Sequence, residues 1–189
     1  FAAISIGSPI IQPMALTRDA GICLRKTEFS ETSQILTLLT RRHGVVRAIA
    51  KGAHRRTKAG ASKFDGGVDL LDRGDAVFTD GSQRDLATLC EWGLRDGHLA
   101  LRKSLRGMYL AQYAAELVAL LFEEHDAHPA LFDRLAATVP GLATDRQEET
   151  LLAFELDLLR EAGYLPELRN CVSCGRPADR EAVYFSPKE

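Results

Sequence analysis

The sequence predicts an α+β chain: a small closed β-barrel of about five strands, then an α-helical domain that runs into a cysteine pair. Three observations lead there. Short runs rich in β-branched and aliphatic residues, separated by Gly-bearing turns, fill residues 20–95. After His98 the apolar period lengthens to that of a helix. The charge is also split: residues 14–64 hold eleven basic and three acidic residues, net +8, whereas residues 65–189 hold thirteen and twenty-three, net −10.

The chain has 189 residues, 46% hydrophobic and 26% charged, with a formal charge of −2. That composition excludes wholesale disorder and is large enough to bury a real core. No apolar run reaches the about 18 residues needed to span a membrane. Residues 1–13 (FAAISIGSPIIQP) are uncharged and lack a charged n-region and a cleavage site. They read as an extension ahead of Met14 rather than a secretory signal, so the cytosol is the expected compartment. The expected division is residues 14–96 for the barrel and 97–189 for the helical domain.

The first strand is expected at residues 20–26 (AGICLRK). Residues 34–40 (QILTLLT) and 45–51 (VVRAIAK) flank a four-residue turn containing Gly44 and read as a hairpin. Residues 52–67 hold four glycines and little apolar content, and form the most basic loop of the chain. Residues 68–71 and 75–79 give one strand or a pair, and residues 86–94 the last. So many short strands in so few residues favour a closed barrel, because closure leaves no unpaired edge.

Helical spacing then runs from Leu99 to Phe122. Pro129 opens a second helix at a position where its missing N–H costs nothing, and Pro140 with Gly141 ends it. Thr144 and Asp145 are expected to cap a third helix that Gly163 closes. Its residues Leu151, Leu152, Phe154, Leu156, Leu158 and Leu159 imply deep burial. Cys23 and Cys90 sit among apolar neighbours and read as small buried hydrophobes.

A basic barrel suits a nucleic-acid backbone, because each phosphate neutralised by Lys or Arg releases counterions. The candidates for phosphate contact are Lys26, Arg41, Arg42, Arg47, Lys51, Arg55, Arg56, Lys58 and Lys63. The same residues also fit an ordinary solvated basic face. Phe29 and Phe64 are placed either to stack on bases or to plug the ends of the barrel. Cys171 and Cys174 form a CxxC followed by Gly, which is half of a zinc knuckle. A redox role would need this pair to open a helix beside a strand; here it follows a helix and precedes Pro177. The string Glu123, Glu124, His125, Asp126, Ala127, His128 reads as a solvated acidic helix end more readily than as a metal cluster. No GxSxG, HExxH or phosphate-cradling Gly loop is present, so no enzymatic turnover is expected.

Two stretches carry a family resemblance. GICLRKTEFSETSQILTLLTRRHGVVRAIAK at residues 21–51, with the basic loop behind it, resembles the RecO recombination-mediator family. So does FELDLLREAGYLPELRNCVSC at residues 154–174, and the YFSP of residues 184–187 is similar to the segment before that family's second cysteine pair. The resemblance implies an N-terminal OB-fold barrel, a helical domain and an inserted zinc finger. It implies binding of single- and double-stranded DNA and annealing of complementary strands. It further implies cooperation with RecR in helping RecA replace the single-strand-binding protein SSB, on nucleoid DNA and without a membrane. The SSB C-terminal tail would dock on the helical domain, for which Arg102, Lys103, Leu105, Arg106 and Tyr109 are the candidates. The alternative is a protein-interaction module whose contact with DNA is incidental. A second CxxC is absent through residue 189 and is expected shortly after Pro187, so zinc at Cys171 and Cys174 is an expectation that depends on it. The helical domain is likewise expected to be incomplete at that point.

Overall fold

The computed structural model describes residues 16–54, 63, 64, 66–79 and 86–178. Five strands form a closed barrel in the order β1-β2-β3-β5-β4: β1 Leu16–Ser30, β2 Ser33–Thr40, β3 Gly44–Ala50, β4 Arg73–Thr79 and β5 Ala87–Asp96. All neighbours are antiparallel except β3 and β5, which pair in parallel over Ala48–Ala50 only. Residues 68–71, expected as strand, are not one. Their backbone instead folds across β1, with Leu71 N–H donating to Cys23 O and Cys23 N–H donating to Asp72 O.

Alternation along the strands sorts the side chains. Cys23, Leu36, Leu38, Val46, Ala48 and Trp92 point into the barrel and form its own core, which Phe64 closes. Ile22, Leu24, Leu39 and Val45 point outward into a second core shared with the helices, so barrel and helical region are welded by apolar burial. The expectation that Cys23 and Cys90 are both buried is half met: Cys23 is buried, but Cys90 is only partly so.

A 3-10 turn at Leu101–Lys103 precedes α1 (Leu105–Leu121), α2 (Pro129–Gly141) and α3 (Gln147–Glu161). The helix expected from Leu99 starts later because Ser104 is extended and its hydroxyl accepts from Gly107 N–H at 3.1 Å, an N-cap. α2 ends at Gly141, as expected, with Pro140 inside its last turn. Thr144 and Asp145 do not cap α3. Its N-cap is Arg146, with no side-chain cap, and the Thr144 hydroxyl donates to Gly141 O at 2.7 Å. At the other end the Tyr164 and Gly163 N–H groups reach Leu159 O and Arg160 O, a Schellman closure. Of the six apolar residues expected deep in α3, only Phe154 and Leu158 are buried, and Leu152 is 57% exposed. α3 packs on α1 and α2. No described helix is long and apolar enough to cross a membrane.

Candidate nucleic-acid interface

On the outer face of β1, β2 and β3, the row Ile22, Leu39 and Val45 is buried in the core shared with the helices, and the rows beyond it lie outside that core. These rows follow from register. Arg25 stands opposite Thr37, and Thr37 opposite Arg47. The next row is Thr27, Ile35 and Ile49. Adjacent strands are about 4.8 Å apart, so Arg25 and Arg47 flank Thr37 at roughly 10 Å across three strands. A β-bulge between Cys23 and Arg25 is what brings Arg25 there. The extra residue lets consecutive Leu24 and Arg25 both turn outward, one into the shared core and the other to the surface. Beyond these rows lie Phe29, 63% exposed, and Lys51 at the end of β3.

Four of the six described candidates for phosphate contact already have carboxylate partners. Lys26 Nζ is 2.9 Å from Asp69. Arg41 forms a two-pronged pair with Asp133 of α2, at 2.9 and 2.7 Å. Arg42 donates from Nε to the buried Asp19 at 3.3 Å and from Nη2 to Arg18 O at 2.7 Å. Arg47 is 3.8 Å from Glu124. Lys51 and Lys63 are exposed and have no ion-pair partner among the described residues. They stand where the chain enters and leaves residues 55–62, and Lys63 O accepts from Trp92 N–H on β5. Arg55, Arg56 and Lys58 lie outside the described residues. Phe64 plugs the barrel at 4% exposure, whereas Phe29 is free to meet a ligand.

Arg25 was not among the expected residues, yet it is as central as Arg47. Its guanidinium grips both oxygens of Glu116 on α1, with Nε donating at 2.7 Å. That hydrogen bond raises the Arg25 pKa and lowers that of Glu116. Glu124 reaches Arg47 because the chain after α1 docks on β3: His125 N–H donates to Val45 O at 3.0 Å, and Glu124 bridges Val45. The acidic string at residues 123–128 therefore belongs to the junction between the two parts.

At the root of the basic loop, Glu28 accepts from Gln34 Nε2 at 3.0 Å and meets His54 Nε2 at 3.1 Å. The Gln34 and His54 contacts hold its carboxyl below the usual range. This fixes the end of β3 beside the β1–β2 hairpin, where Lys51 and Phe29 project.

The residues expected to receive an acidic peptide are dispersed. Arg102 donates to Asp69 at 2.8 Å, to Asp72 at 3.0 Å and to Gly97 O at 2.8 Å, so it clamps the helical region to the barrel. Arg106 pairs with Glu148 of α3. Lys103 and Leu105 are exposed, and Tyr109 faces a groove against β1.

Cys171 and Cys174 are both exposed, on a tight turn in which Cys171 N–H donates to Arg176 O and Gly175 N–H to Cys171 O, each at 2.8 Å. Backbone N–H groups of Cys174 and Ser173 hydrogen-bond the Cys171 sulfur and lower its pKa, which favours the thiolate that metals bind. The pair fits half of a tetrahedral zinc site, and no third ligand joins it among the described residues.

Comparison with known proteins agrees with both halves of the chain. Residues 14–97 match the family model described as Recombination protein O N terminal, and residues 102–189 match Recombination protein O C terminal. The chain is 36% identical over 170 residues to the DNA repair protein RecO of Anaeromyxobacter dehalogenans (strain 2CP-C), covering 89% of this chain and 65% of that protein. It is 38% identical over 160 residues to that of Rhodopirellula baltica, covering 84% and 58%. With that of Alkaliphilus metalliredigens it shares 35% identity over 176 residues, covering 92% and 69%. The chain thus spans less than two thirds of the first two relatives.

Proposed function

The chain belongs to the RecO family of DNA repair proteins, and we propose that it binds single-stranded DNA across the open face of β1–β3. The observation that carries this reading is the row Arg25, Thr37, Arg47, continued by Lys51 toward the basic loop. Guanidiniums and the ammonium take phosphates, and the Thr27 and Thr37 hydroxyls add neutral donors. Phe29 offers a surface on which a base stacks. Lys63 adds to the same cationic zone, and Arg55, Arg56 and Lys58 of the neighbouring sequence are further candidates for phosphate contact, which also serves double-stranded DNA through its backbone.

Annealing follows from charge. A surface that neutralises two strands lowers their mutual repulsion, and base pairing then supplies specificity. In this reading the protein is a mediator without chemical turnover. It acts in the cytoplasm on nucleoid DNA, works with RecR, and helps RecA take the place of SSB. Arg102 and Arg106 are engaged elsewhere, so only Lys103, Leu105 and Tyr109 of the expected tail-docking set have side chains without an ion-pair partner. Cys171 and Cys174 supply two ligands of a structural zinc site, which metal analysis tests: one zinc per chain of the full protein, and none in Cys171→Ser.

Hydrogen exchange with and without an oligo(dT) strand tests the DNA face. Protection is expected along β1–β3 and around Lys51 and Lys63. Protection confined to α2 and α3 would overturn the assignment.

A further inference from the structure

We propose that the groove between β1 and α1 receives unpaired nucleobases, with Tyr109 and Tyr113 as their stacking surfaces. The proposal rests on the sheet reading above and extends it by one site.

The groove holds about 550 Å³ and is walled on one side by Arg25, Lys26 and Thr27 and on the other by Tyr109, Tyr113 and Glu116. That volume lies within the roughly 300–1,000 Å³ typical of ligand clefts. Tyr109 and Tyr113 are one helical turn apart on α1, so they share a face with Cβ atoms about 5–6 Å from each other. They are 64% and 46% exposed, a large aromatic surface that the fold leaves uncovered. The Tyr113 hydroxyl donates to Glu155 of α3 at 3.0 Å, which restrains the ring where it stands.

Charge decides what fits. Both cations of the groove are neutralised, Arg25 by Glu116 and Lys26 by Asp69. With Arg25 and Lys26 each already paired, the surface the groove offers is that of the two tyrosine rings, which suits the flat face of a base, while phosphates lie on the sheet outside it. A strand-adding peptide has no place, because the barrel is closed. Position agrees with this, since Arg25 and Thr27 belong both to the groove and to the rows of the sheet face. A strand crossing β3, β2 and β1 arrives at the two tyrosines.

The test is anisotropy of labelled oligo(dT) against salt for the whole chain. Tyr109→Ala should weaken binding about 5- to 150-fold, the range of one lost base stack, with an unchanged slope of log K against log salt. Tyr109→Phe and Tyr113→Phe keep the ring and should stay within about twofold of wild type. Salt-dependent wild-type binding that Tyr109→Ala leaves within twofold would overturn the groove alone. So would loss, in Tyr109→Ala, of binding to an acidic peptide probe with DNA affinity intact. Absence of wild-type DNA binding would overturn the groove together with the sheet reading.

Discussion

Arg25 on β1 and Arg47 on β3 face the same residue, Thr37 of β2, and each is held by a carboxylate from the helical side. The basic strands and the acidic helices therefore meet on one surface, and DNA phosphates must replace Glu116 and Glu124 to reach the two guanidiniums. Exposed ion pairs are worth only about 0–1 kcal/mol, so this exchange costs little.

Glu116→Gln should consequently raise affinity for single-stranded DNA by about two- to fivefold, the upper end being the full strength of such a pair. Anisotropy at fixed salt measures it. A fall in affinity would mean that Glu116 orients Arg25 for DNA rather than competing with it.

Arg102→Ala should cost about 2 kcal/mol in urea unfolding. Its guanidinium joins Asp72, whose side chain is only 7% exposed, and Asp69 to the start of the helical region. Removing it strands a carboxylate in low dielectric, the costly half of a broken buried pair. A change below about 0.5 kcal/mol, within the spread of ordinary surface substitutions, would show that the junction does not depend on this clamp.

Gly44→Ala should destabilise by about 2–4 kcal/mol. Gly44 has φ +66° and its missing Cβ would lie 2.0 Å from Asp126 O. The left-handed conformation alone costs an L-residue roughly 1–2 kcal/mol, and the clash with backbone adds to it. Because the docked 124–126 segment would be pushed off β3, hydrogen exchange at His125 N–H should accelerate as well.

Asp69 makes stability fall in acid. Burial pushes its carboxyl up, but hydrogen bonds from Lys26 and Arg102 outweigh that and hold it at about 2, against an ordinary 3.8. The folded value is the lower one, so its contribution is complete above 3.8 and is lost as pH falls toward 2. With Asp69 partly exposed, the effect is about 1 kcal/mol after solvent screening. Asp72, pushed up by burial, works in the opposite sense. Asp69→Asn should flatten the acid limb of a stability profile in that window, and an unchanged limb would remove Asp69 from the account.

The strand count and most strand positions were legible, because β2 and β3 are β-branched and aliphatic runs around a Gly turn. Register was not. Residues 20–26 look like one apolar run, and only the bulge after Cys23 turns Arg25 outward beside Leu24. That is why Arg25, Thr27 and Thr37 were missed while Arg41 and Arg42, conspicuous as a pair, were included. Their ion pairs with Asp133 and Asp19 join residues 92 and 23 positions apart, which periodicity does not encode. The apolar run of α3 overstated burial for a related reason: a hydrophobic pattern shows which face seeks cover, not whether a neighbour covers it. The charge split was readable and directs the proposed interface to the barrel, though Arg25, Arg41 and Arg47 are held by carboxylates of the helical region.

The central claim is that Arg25 and Arg47 contact phosphates from the open sheet face. The most direct test is the slope of log K against log salt for oligo(dT), in wild type and in the Arg25→Gln, Arg47→Gln double variant. Loss of two phosphate contacts predicts a slope shallower by about 1.4, at about 0.7 per contact on single strands. An unchanged slope in a double variant that remains folded would contradict it.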